Sequence, residues 1–245
     1  MAVVDLRTDP LRETYGRAEE THYAWQTRGA FVSERERELV QGSFLPIRGR
    51  LLDVGCGEGA TLFHLGAPAG AVGVDLFADK LAFASKELPG CKFVQASATE
   101  LPFADGSFDH VIVRDVLHHL PEPKDALREI ARVLAPNGRV DVLEPCRNNP
   151  LIFAHALAIR VERGELRSTR RYLTGLLTPR FHVVSCTRHQ PMPIHRVLLH
   201  PGMGRPALGS DRLARAAISA FEAAMGVILP KTCWAYVHLR ATLRS

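Results

Sequence analysis

The stretch RLLDVGCGEGA at residues 50–60 decides the fold of this chain, because a short apolar run breaks directly into a glycine loop. The run 50–56 predicts a buried strand, and the glycines predict a tight loop that lets a ligand lie against bare backbone. Asp75 ends the next predicted strand, where a carboxylate can accept hydrogen bonds from two ribose hydroxyls. The sequence therefore predicts a nucleoside-bearing ligand at the carboxyl ends of the first two strands.

Short apolar runs alternate with helical patterns along the rest of the first 150 residues. The further strands are predicted at 71–75, 92–96, 108–113 and 138–144, and the helices at 60–66, 78–88 and 124–134. One or two helices are predicted within 12–42. This alternation is typical of βαβ units, which form a parallel sheet with right-handed crossovers.

The regular alternation of short strands and helices ends at Pro150. Residues 151–177 predict a helix, a turn and a second helix, and 213–228 predict a further helix. Strands are predicted at 181–189 and 232–243, and they extend the sheet edge, with the last one antiparallel.

Composition places the chain among ordinary globular proteins, with 245 residues, 46% of them hydrophobic and 23% charged. This balance excludes a disordered or fibrous chain, and no apolar run approaches the roughly 18 residues that span a bilayer. The first ten residues carry three charges where a secretory signal needs apolar residues. The five cysteines are scattered and form no C-x-x-C pair, so we expect no metal site, no disulfide framework and a cytoplasmic location.

Basic residues are concentrated in the C-terminal part. From Leu151 onward the chain contains 14 Lys and Arg residues but only 4 Asp and Glu residues. Such a surface suits an anionic substrate, a nucleic acid or a membrane, and it is equally consistent with a solvated basic face.

The glycine loop alone does not identify its ligand, because G-x-G-x-x-A at 55–60 also satisfies the dinucleotide fingerprint. Charge separates the alternatives. Asp53 and Glu58 flank the loop, and like charges a few ångströms from a pyrophosphate cost on the order of a few kcal/mol. S-adenosylmethionine carries a sulfonium, an α-amino group and a ribose for Asp75, so we favour it over NAD.

Four motifs in order resemble class I S-adenosylmethionine-dependent methyltransferases of the ubiquinone/menaquinone type, also called type 11. They are RLLDVGCGEGA, VGVDLFADKL, ATELPFADGSFDHVIVRDVLHHL and LREIARVLAPNGRVDVLEP, and they extend over about 50–145. EETHYAWQTRG at 19–29 resembles a segment that precedes the first strand in some members. The resemblance implies a doubly wound, seven-stranded, mainly parallel sheet of the Rossmann-like methyltransferase fold, with N-terminal helices and a helical lid insertion.

On this basis we expect one methyltransferase domain over 1–245. It comprises an N-terminal helical cap (1–45), a cofactor-binding core (46–150), helical acceptor-side segments (151–178 and 190–230) and the final strands (181–189 and 232–243).

The resemblance also assigns cofactor-binding residues. The loop residues Asp53, Gly55, Cys56, Gly57 and Gly59 are expected to hold the methionine part. Asp75 is expected to bind the ribose, Leu76 to contact the adenine, and Ser97, Ala98 and Thr99 to line its edge. Arg114 offers its backbone, and Arg28 is a candidate partner for the methionine carboxylate. The family more often has Asp where this chain has Ser97, which predicts a weaker contact with the adenine.

Residues on the expected acceptor side supply the catalytic candidates. His118 and His119 follow the fourth strand, and an ordinary imidazole pKa suits a general base, although the pair also fits a packing role. Glu144 is a candidate base or orienting group, and Asn149 a hydrogen-bond donor to the acceptor, against a purely conformational role for this Pro-bracketed loop. Tyr15, His22 and Trp25 are candidates for an aromatic lid that favours a sulfonium, or for a helix packing its own aromatics.

The chain is thus predicted to transfer a methyl group to an oxygen, carbon or nitrogen of a small metabolite or lipid-like acceptor. It is expected to act as a monomer or homodimer, without nucleic acid, and with peripheral membrane contact as an option. The alternatives are an RNA- or protein-directed methyltransferase and a non-catalytic cofactor-binding subunit.

Overall fold

The computed structural model describes residues 13–14 and 16–244, and these fold around a central sheet. The strands are β1 (Leu51–Val54), β2 (Val72–Asp75), β3 (Lys92–Gln95), β4 (Phe108–Arg114), β5 (Leu134–Pro145), β6 (Phe181–His189) and β7 (Tyr236–Leu243). The helices are α1 (Glu20–Thr27), α2 (Ala30–Phe44), α3 (Ala60–His64), α4 (Ala78–Glu87), α5 (Pro123–Val133), α6 (Pro150–Ala158), α7 (Arg170–Leu177), α8 (His195–Leu198) and α9 (Arg212–Ile228). Short 3₁₀ segments occupy Leu117–His119, Arg160–Arg167, Pro206–Ser210 and Lys231–Cys233.

The strand order in the described residues is β3-β2-β1-β4-β5-β7-β6. β1 to β5 are mutually parallel, whereas β7 runs antiparallel to both β5 and β6. The predicted seven-stranded, mainly parallel sheet with a final antiparallel strand is confirmed. The order reverses between β1 and β4, and ligands of open α/β sheets bind at such a point, outside the carboxyl ends of the strands.

Packing against the sheet determines which face each helix buries. In α5, Pro123 begins the helix and Ala126, Leu127, Ile130 and Val133 form the stripe that faces the sheet. These side chains join a core with β4, β5 and β7 that contains Val111, Val140 and Leu239. Helix α2 packs against the opposite face through Leu39, Val40 and Phe44.

Two predicted strand boundaries are wrong. β5 begins at Leu134 rather than at 138, because Leu134 pairs with Phe108 across an irregularity in β4. The last strand begins at Tyr236 rather than at 232, since Lys231–Cys233 form a 3₁₀ turn after Pro230. Within the described residues, no helix has both the length and the apolar character needed to cross a membrane.

Candidate functional site

The glycine loop between β1 and α3 forms a backbone cradle at the switch point of the sheet. Gly55, Gly57 and Gly59 have φ values of 75°, 52° and 86°, a region that disfavours other residues. A Cβ on Gly55 would lie 2.3 Å from Val116 Cγ2, so this glycine is also required by close packing. A Cβ on Gly57 would meet nothing within 4 Å, which shows that open space adjoins the loop there. The buried Cys56 lies between these glycines, and burial raises the pKa of its thiol.

Asp75 organises the second wall of the cradle at the end of β2. Its Oδ2 accepts a hydrogen bond from Gly57 N at 2.9 Å, and its Oδ1 accepts one from Phe77 N at 3.0 Å. The carboxylate thus bridges the glycine loop and the start of α4. Leu76, the next residue, is half-buried, and its carbonyl accepts a hydrogen bond from the Gln95 side chain.

Asp53 is a buried acid with an unpartnered oxygen beneath the loop. The residue is 1% exposed, and its Oδ2 has no hydrogen-bond partner. Burial raises the pKa of Asp53 to about 7, with Asp75 adding to the rise and Arg114 opposing it. A cationic ligand would favour the charged form of this acid, so the cradle fits a sulfonium-bearing nucleoside.

Glu58 adds less negative charge to the cradle than its place beside the glycine loop suggests. Its carboxylate pairs with Lys80 Nζ at 3.4 Å, and it also accepts a hydrogen bond from Glu19 N at 3.2 Å. Lys80, at the start of α4, therefore offsets the charge of Glu58, which repels a phosphate less than its sequence position implied. The preference for a cationic ligand rests on Asp53 instead.

Helix α1 lies over the glycine loop. The rings of His22 and Trp25 stack with centroids 5.4 Å apart, and His200 packs edge-on against Trp25 at 5.2 Å. His22 feels the charge of Glu58, although burial dominates and lowers the pKa of its ring. His22 thus lies near the glycine loop, Trp25 packs against His22 and His200, and Tyr15 lies outside the described residues.

Arg28 does not lie at the cradle. Its Nη2 is 2.6 Å from Glu87 Oε2 at the end of α4, and Asp75 precedes the beginning of that helix. A helix of ten residues is about 15 Å long. The expectation that Arg28 binds the methionine carboxylate is therefore not supported by its position.

The three residues that we expect to line the adenine edge follow β3. Ser97 Oγ lies 2.8 Å from Thr99 Oγ1 and accepts a hydrogen bond from Thr99 N at 3.2 Å. Ala98 packs against the sheet core between them. The Ser97 hydroxyl thus shapes a local turn, in addition to any contact with a ligand.

Arg114 ends β4, and its side chain is part of a buried ion network. Its Nη2 donates to Glu36 Oε2 at 2.6 Å, while the other carboxylate oxygen of Glu36 pairs with Arg196. Sequence reasoning missed Glu36 and Arg196, because these partners are 160 positions apart and belong to no motif.

Glu144 and His118 form a buried pair at the ends of β5 and β4. Glu144 Oε2 lies 2.7 Å from His118 Nδ1, and its Oε1 accepts from the Val116 and Leu117 amides at 2.9 and 2.8 Å. On the other side, His118 Nε2 lies 3.2 Å from Glu162 Oε2. Burial alone would lower the pKa of His118, but the two carboxylates outweigh it and raise that pKa well above its ordinary value. Both ring nitrogens of His118 and both oxygens of Glu144 are therefore engaged in this network, which positions the turn after β4.

His119 differs from its neighbour in charge. Its side chain is 20% exposed, and burial together with the adjacent His118 lowers its pKa to about 4. A neutral imidazole at this edge retains the ability to accept a proton or to ligate a metal.

Asn149 is fully buried and caps helix α6. Its Oδ1 accepts from the Leu151 and Ile152 amides, and its Nδ2 donates to the Pro191 and Cys233 carbonyls. The conformational alternative is therefore correct for Asn149, and the expectation that it binds an acceptor is wrong.

The segment Arg160–Arg167 holds the acidic residues that the sequence analysis overlooked. Glu162 and Glu165 are 7% and 5% exposed, whereas Arg160, Arg163 and Arg167 face outward. A 3₁₀ helix has three residues per turn, so positions 162 and 165 share one face. The outer side of this segment is therefore basic, and its inner side is acidic.

Comparisons with known proteins agree with this geometry. The family model described as "Methyltransferase domain" matches residues 52–141, which include the cradle, Asp75 and the turn after β4. A curated relative, 27-O-demethylrifamycin SV methyltransferase of Amycolatopsis mediterranei, is 30% identical over 56% of this chain and 54% of its own length. Demethylmenaquinone methyltransferase of Renibacterium salmoninarum is 36% identical over 46% of this chain and 48% of its own length. The chain thus spans about half the length of these relatives.

Solved structures share the fold at low identity. Phosphoethanolamine N-methyltransferase 2 of Haemonchus contortus, solved with S-adenosyl-L-methionine, has a TM-score of 0.69 at 18% identity, covering 100% of this chain and 61% of its own. A possible histamine N-methyltransferase of Thermotoga maritima has a TM-score of 0.61 at 19% identity, covering 90% and 93%.

The chain shares the Rossmann-like fold of these methyltransferase structures, and its residues 52–141 match the model of a methyltransferase domain.

Proposed function

We propose that this chain is an S-adenosylmethionine-dependent methyltransferase that acts on an oxygen, carbon or nitrogen of a small metabolite or lipid-like acceptor. The observation that carries the proposal is the cradle, in which Asp75 braces the glycine loop while Asp53 keeps a buried, unpartnered carboxyl oxygen beneath it. The bound cofactor supplies a methyl group on a positively charged sulfur. The protein mainly has to align the acceptor and exclude water, which accounts for much of the rate in such displacements.

Different residues around the cradle are proposed to bind the cofactor, to cover it and to contact the acceptor. Backbone at Gly55, Gly57 and Gly59 is proposed to surround the methionine part, and Asp75 to accept from the ribose hydroxyls. His22 and Trp25 on α1 are proposed to cover the donor from above, since α1 is tied to the loop through Glu19 N and Glu58. His119, which is neutral and partly exposed, is the proposed catalytic residue that lines the acceptor side.

An acceptor with an apolar body is supported by two observations. The first residues of the 151–178 segment leave Phe153 and Leu157 half-exposed, at 45% and 55%. Several relatives are named as methyltransferases of demethylmenaquinone, tocopherol or fatty acids. We therefore propose that 151–178 and 190–230 form the acceptor side of a single domain, with 1–45 as its cap. We further propose a cytoplasmic monomer or homodimer that binds no nucleic acid.

Transfer of a labelled methyl group tests this function. The chain is incubated with S-adenosyl[methyl-³H]methionine and a panel containing a naphthoquinol, a phenol, a long-chain fatty acid and an ethanolamine phosphate. Label that moves into an organic-extractable small product supports the proposal. Label in RNA or protein instead indicates a macromolecular acceptor, and binding of the cofactor without transfer to a panel or cell-extract acceptor indicates a non-catalytic subunit.

His119→Ala separates catalysis from binding in the same assay. Loss of a side chain that assists the chemical step typically slows turnover by roughly 10²-fold or more, and we expect cofactor affinity to be unchanged. The matched control is His182→Ala, since His182 is exposed on β6. Equal turnover in the two variants would remove His119 from the catalytic step.

A further inference from the structure

Three histidines and two glutamates converge beside the turn after β4. His118 Nε2 lies 3.2 Å from Glu162 Oε2, and His119 Nε2 lies 3.9 Å from the same oxygen. His155 Nδ1, on α6, lies 3.3 Å from Glu165 Oε2. One ligand atom from each of His118, His119 and Glu162 lies within 4.8 Å of the others, and the same holds for His155, Glu162 and Glu165. We call these five residues the His/Glu cluster.

Backbone packing builds the His/Glu cluster. A Cβ on Gly164 would lie only 1.7 Å from the carbonyl oxygen of His118, so the 3₁₀ segment Arg160–Arg167 lies directly on the Leu117–His119 turn. This contact aims Glu162 and Glu165 inward at the histidines. Both carboxylates are buried there, although the surrounding segment is strongly basic on its outer side.

The Glu144–His118 contact is an independent observation that points to a cation. Glu144 engages Nδ1 of His118 at 2.7 Å and is itself held by two backbone amides, so Nε2 is the nitrogen turned toward Glu162. Metal-bound histidines characteristically donate their other ring N–H to a carboxylate, which fixes the tautomer and the ring orientation. Glu144 occupies the position of such an orienting partner.

We propose that His118, His119 and Glu162 bind one divalent first-row transition ion of the Zn²⁺ class. Two imidazoles and a carboxylate suit such ions, whereas Mg²⁺ and Ca²⁺ prefer all-oxygen sets. Bonds of about 2.0–2.1 Å in tetrahedral geometry separate ligand atoms by roughly 3.3 Å. The 3.2 Å separation is close to that value, and the 3.9 Å separation exceeds it by about 0.6 Å, so binding requires a shift of that size at His119.

The ion would retain open coordination positions, because the protein supplies three ligands. His119 and His155 are the partly exposed members of the cluster, at 20% and 37%, and they mark the side from which an oxygen of an acceptor would approach. Polarising that oxygen is what the ion would add to the reaction. This use of the site rests on the proposed function, whereas metal binding itself does not.

Metal binding is tested without cofactor or acceptor. The chain is stripped with a chelator and titrated with Co²⁺, whose visible absorption bands report nitrogen and oxygen ligands in a low-symmetry site. Zn²⁺ is then added in competition, and Mg²⁺ serves as the hard-ion control. We expect one equivalent of Co²⁺ with intense bands, displacement by Zn²⁺ and no displacement by Mg²⁺.

Variants locate the site. We expect Co²⁺ binding to weaken by at least tenfold in Glu162→Gln and in His119→Gln. The matched controls change exposed residues, and we expect them to bind Co²⁺ as the wild type does; they are Glu38→Gln and His182→Ala. X-ray absorption on the wild-type Zn²⁺ complex adds a readout that needs no variant, and the expected shell contains two imidazoles. Less than one equivalent bound, equal affinities in all four variants, or a shell without imidazole would overturn the proposal. Failure of methyl transfer alone would overturn only the proposed function.

Discussion

Nη2 of Arg114 lies 2.6 Å from Oε2 of Glu36, and this contact joins the carboxyl end of β4 to the N-terminal helix α2. The second oxygen of Glu36 pairs with Arg196 in α8. Burial alone would raise the pKa of Glu36, but the Arg196 and Arg114 guanidinium groups outweigh it and lower that pKa to about 2. One carboxylate therefore fastens the N-terminal cap and the α8 region to the edge of the sheet where the cradle lies.

Replacing Glu36 should destabilise the fold strongly. Glu36→Gln keeps the shape of the side chain but removes the carboxylate that pairs with two buried guanidinium groups, and only Arg114 keeps a second partner, Asp115 at 3.3 Å. Removing one partner from a buried ion pair typically costs about 3–5 kcal/mol. Glu38→Gln is the matched control, since Glu38 is 57% exposed and pairs with Arg35 at the surface. Its expected change is within about 0.5 kcal/mol. Urea unfolding followed by circular dichroism measures both, and similar midpoints for the two variants would refute the importance of the network.

The same residue predicts how stability depends on pH. The pKa of Glu36 is lower in the folded protein than its ordinary value of 4.5, so its ion pairs stabilise the fold above that pH and are lost as pH falls toward 2. The stability gap between wild type and Glu36→Gln should be constant above about pH 5.5 and should narrow below pH 4.5. Unfolding free energies measured between pH 3 and pH 7 check this, and a gap that widens in acid would contradict it.

Gly164 predicts the cost of disturbing the turn after β4. In Gly164→Ala the new methyl group would overlap the His118 carbonyl, so the Arg160–Arg167 segment has to move away. Backbone clashes of this kind typically cost about 1–3 kcal/mol. Gly175→Ala is the control, because a Cβ there meets nothing within 4 Å and Ala favours the helix by roughly 0.5–1 kcal/mol. Thermal unfolding should shift in opposite directions for the two variants, and parallel shifts would count against the packing described here.

The buried Asp53 predicts a pH-dependent preference for the charged cofactor. Its pKa of about 7 means that binding a sulfonium favours loss of its proton. The affinity for S-adenosylmethionine relative to S-adenosylhomocysteine should therefore rise severalfold from pH 6 to pH 8, because the two ligands differ in the charge on sulfur. Calorimetry at three pH values measures this ratio. In Asp53→Asn the ratio should no longer vary with pH, and an unchanged pH dependence in that variant would exclude Asp53 as its source.

Much of the fold was predictable because local patterns and packing agree. Apolar runs that end in Gly or Asp marked β1 and β2 within two residues, and the stripe in α5 matched the face that it buries. Boundaries failed where pairing partners decide them. Leu134 joins β5 through its contact with Phe108, and neither residue signals this in its own neighbourhood.

The cofactor cradle was predictable for the same reason, since glycines and Asp75 lie within one short stretch. The acceptor side was not predictable from local sequence patterns. Glu162 and Glu165 belong to a segment whose net charge is positive, and the 3₁₀ period turns them inward. Lys80 and Arg196 contact their acidic partners only in the folded chain, so no local spacing in the sequence predicts these ion pairs.

Calorimetric titration of the chain with S-adenosylmethionine and with NAD⁺ tests most directly whether the cradle binds a cationic nucleoside. We predict stoichiometric binding of S-adenosylmethionine and no measurable binding of NAD⁺. Asp75→Ala should weaken S-adenosylmethionine binding by about 1.5–3 kcal/mol through the loss of charged hydrogen bonds, while Asp79→Ala, on the exposed start of α4, should bind as the wild type does. Tight NAD⁺ binding, or equal affinity in the two variants, would contradict the assignment of the cradle.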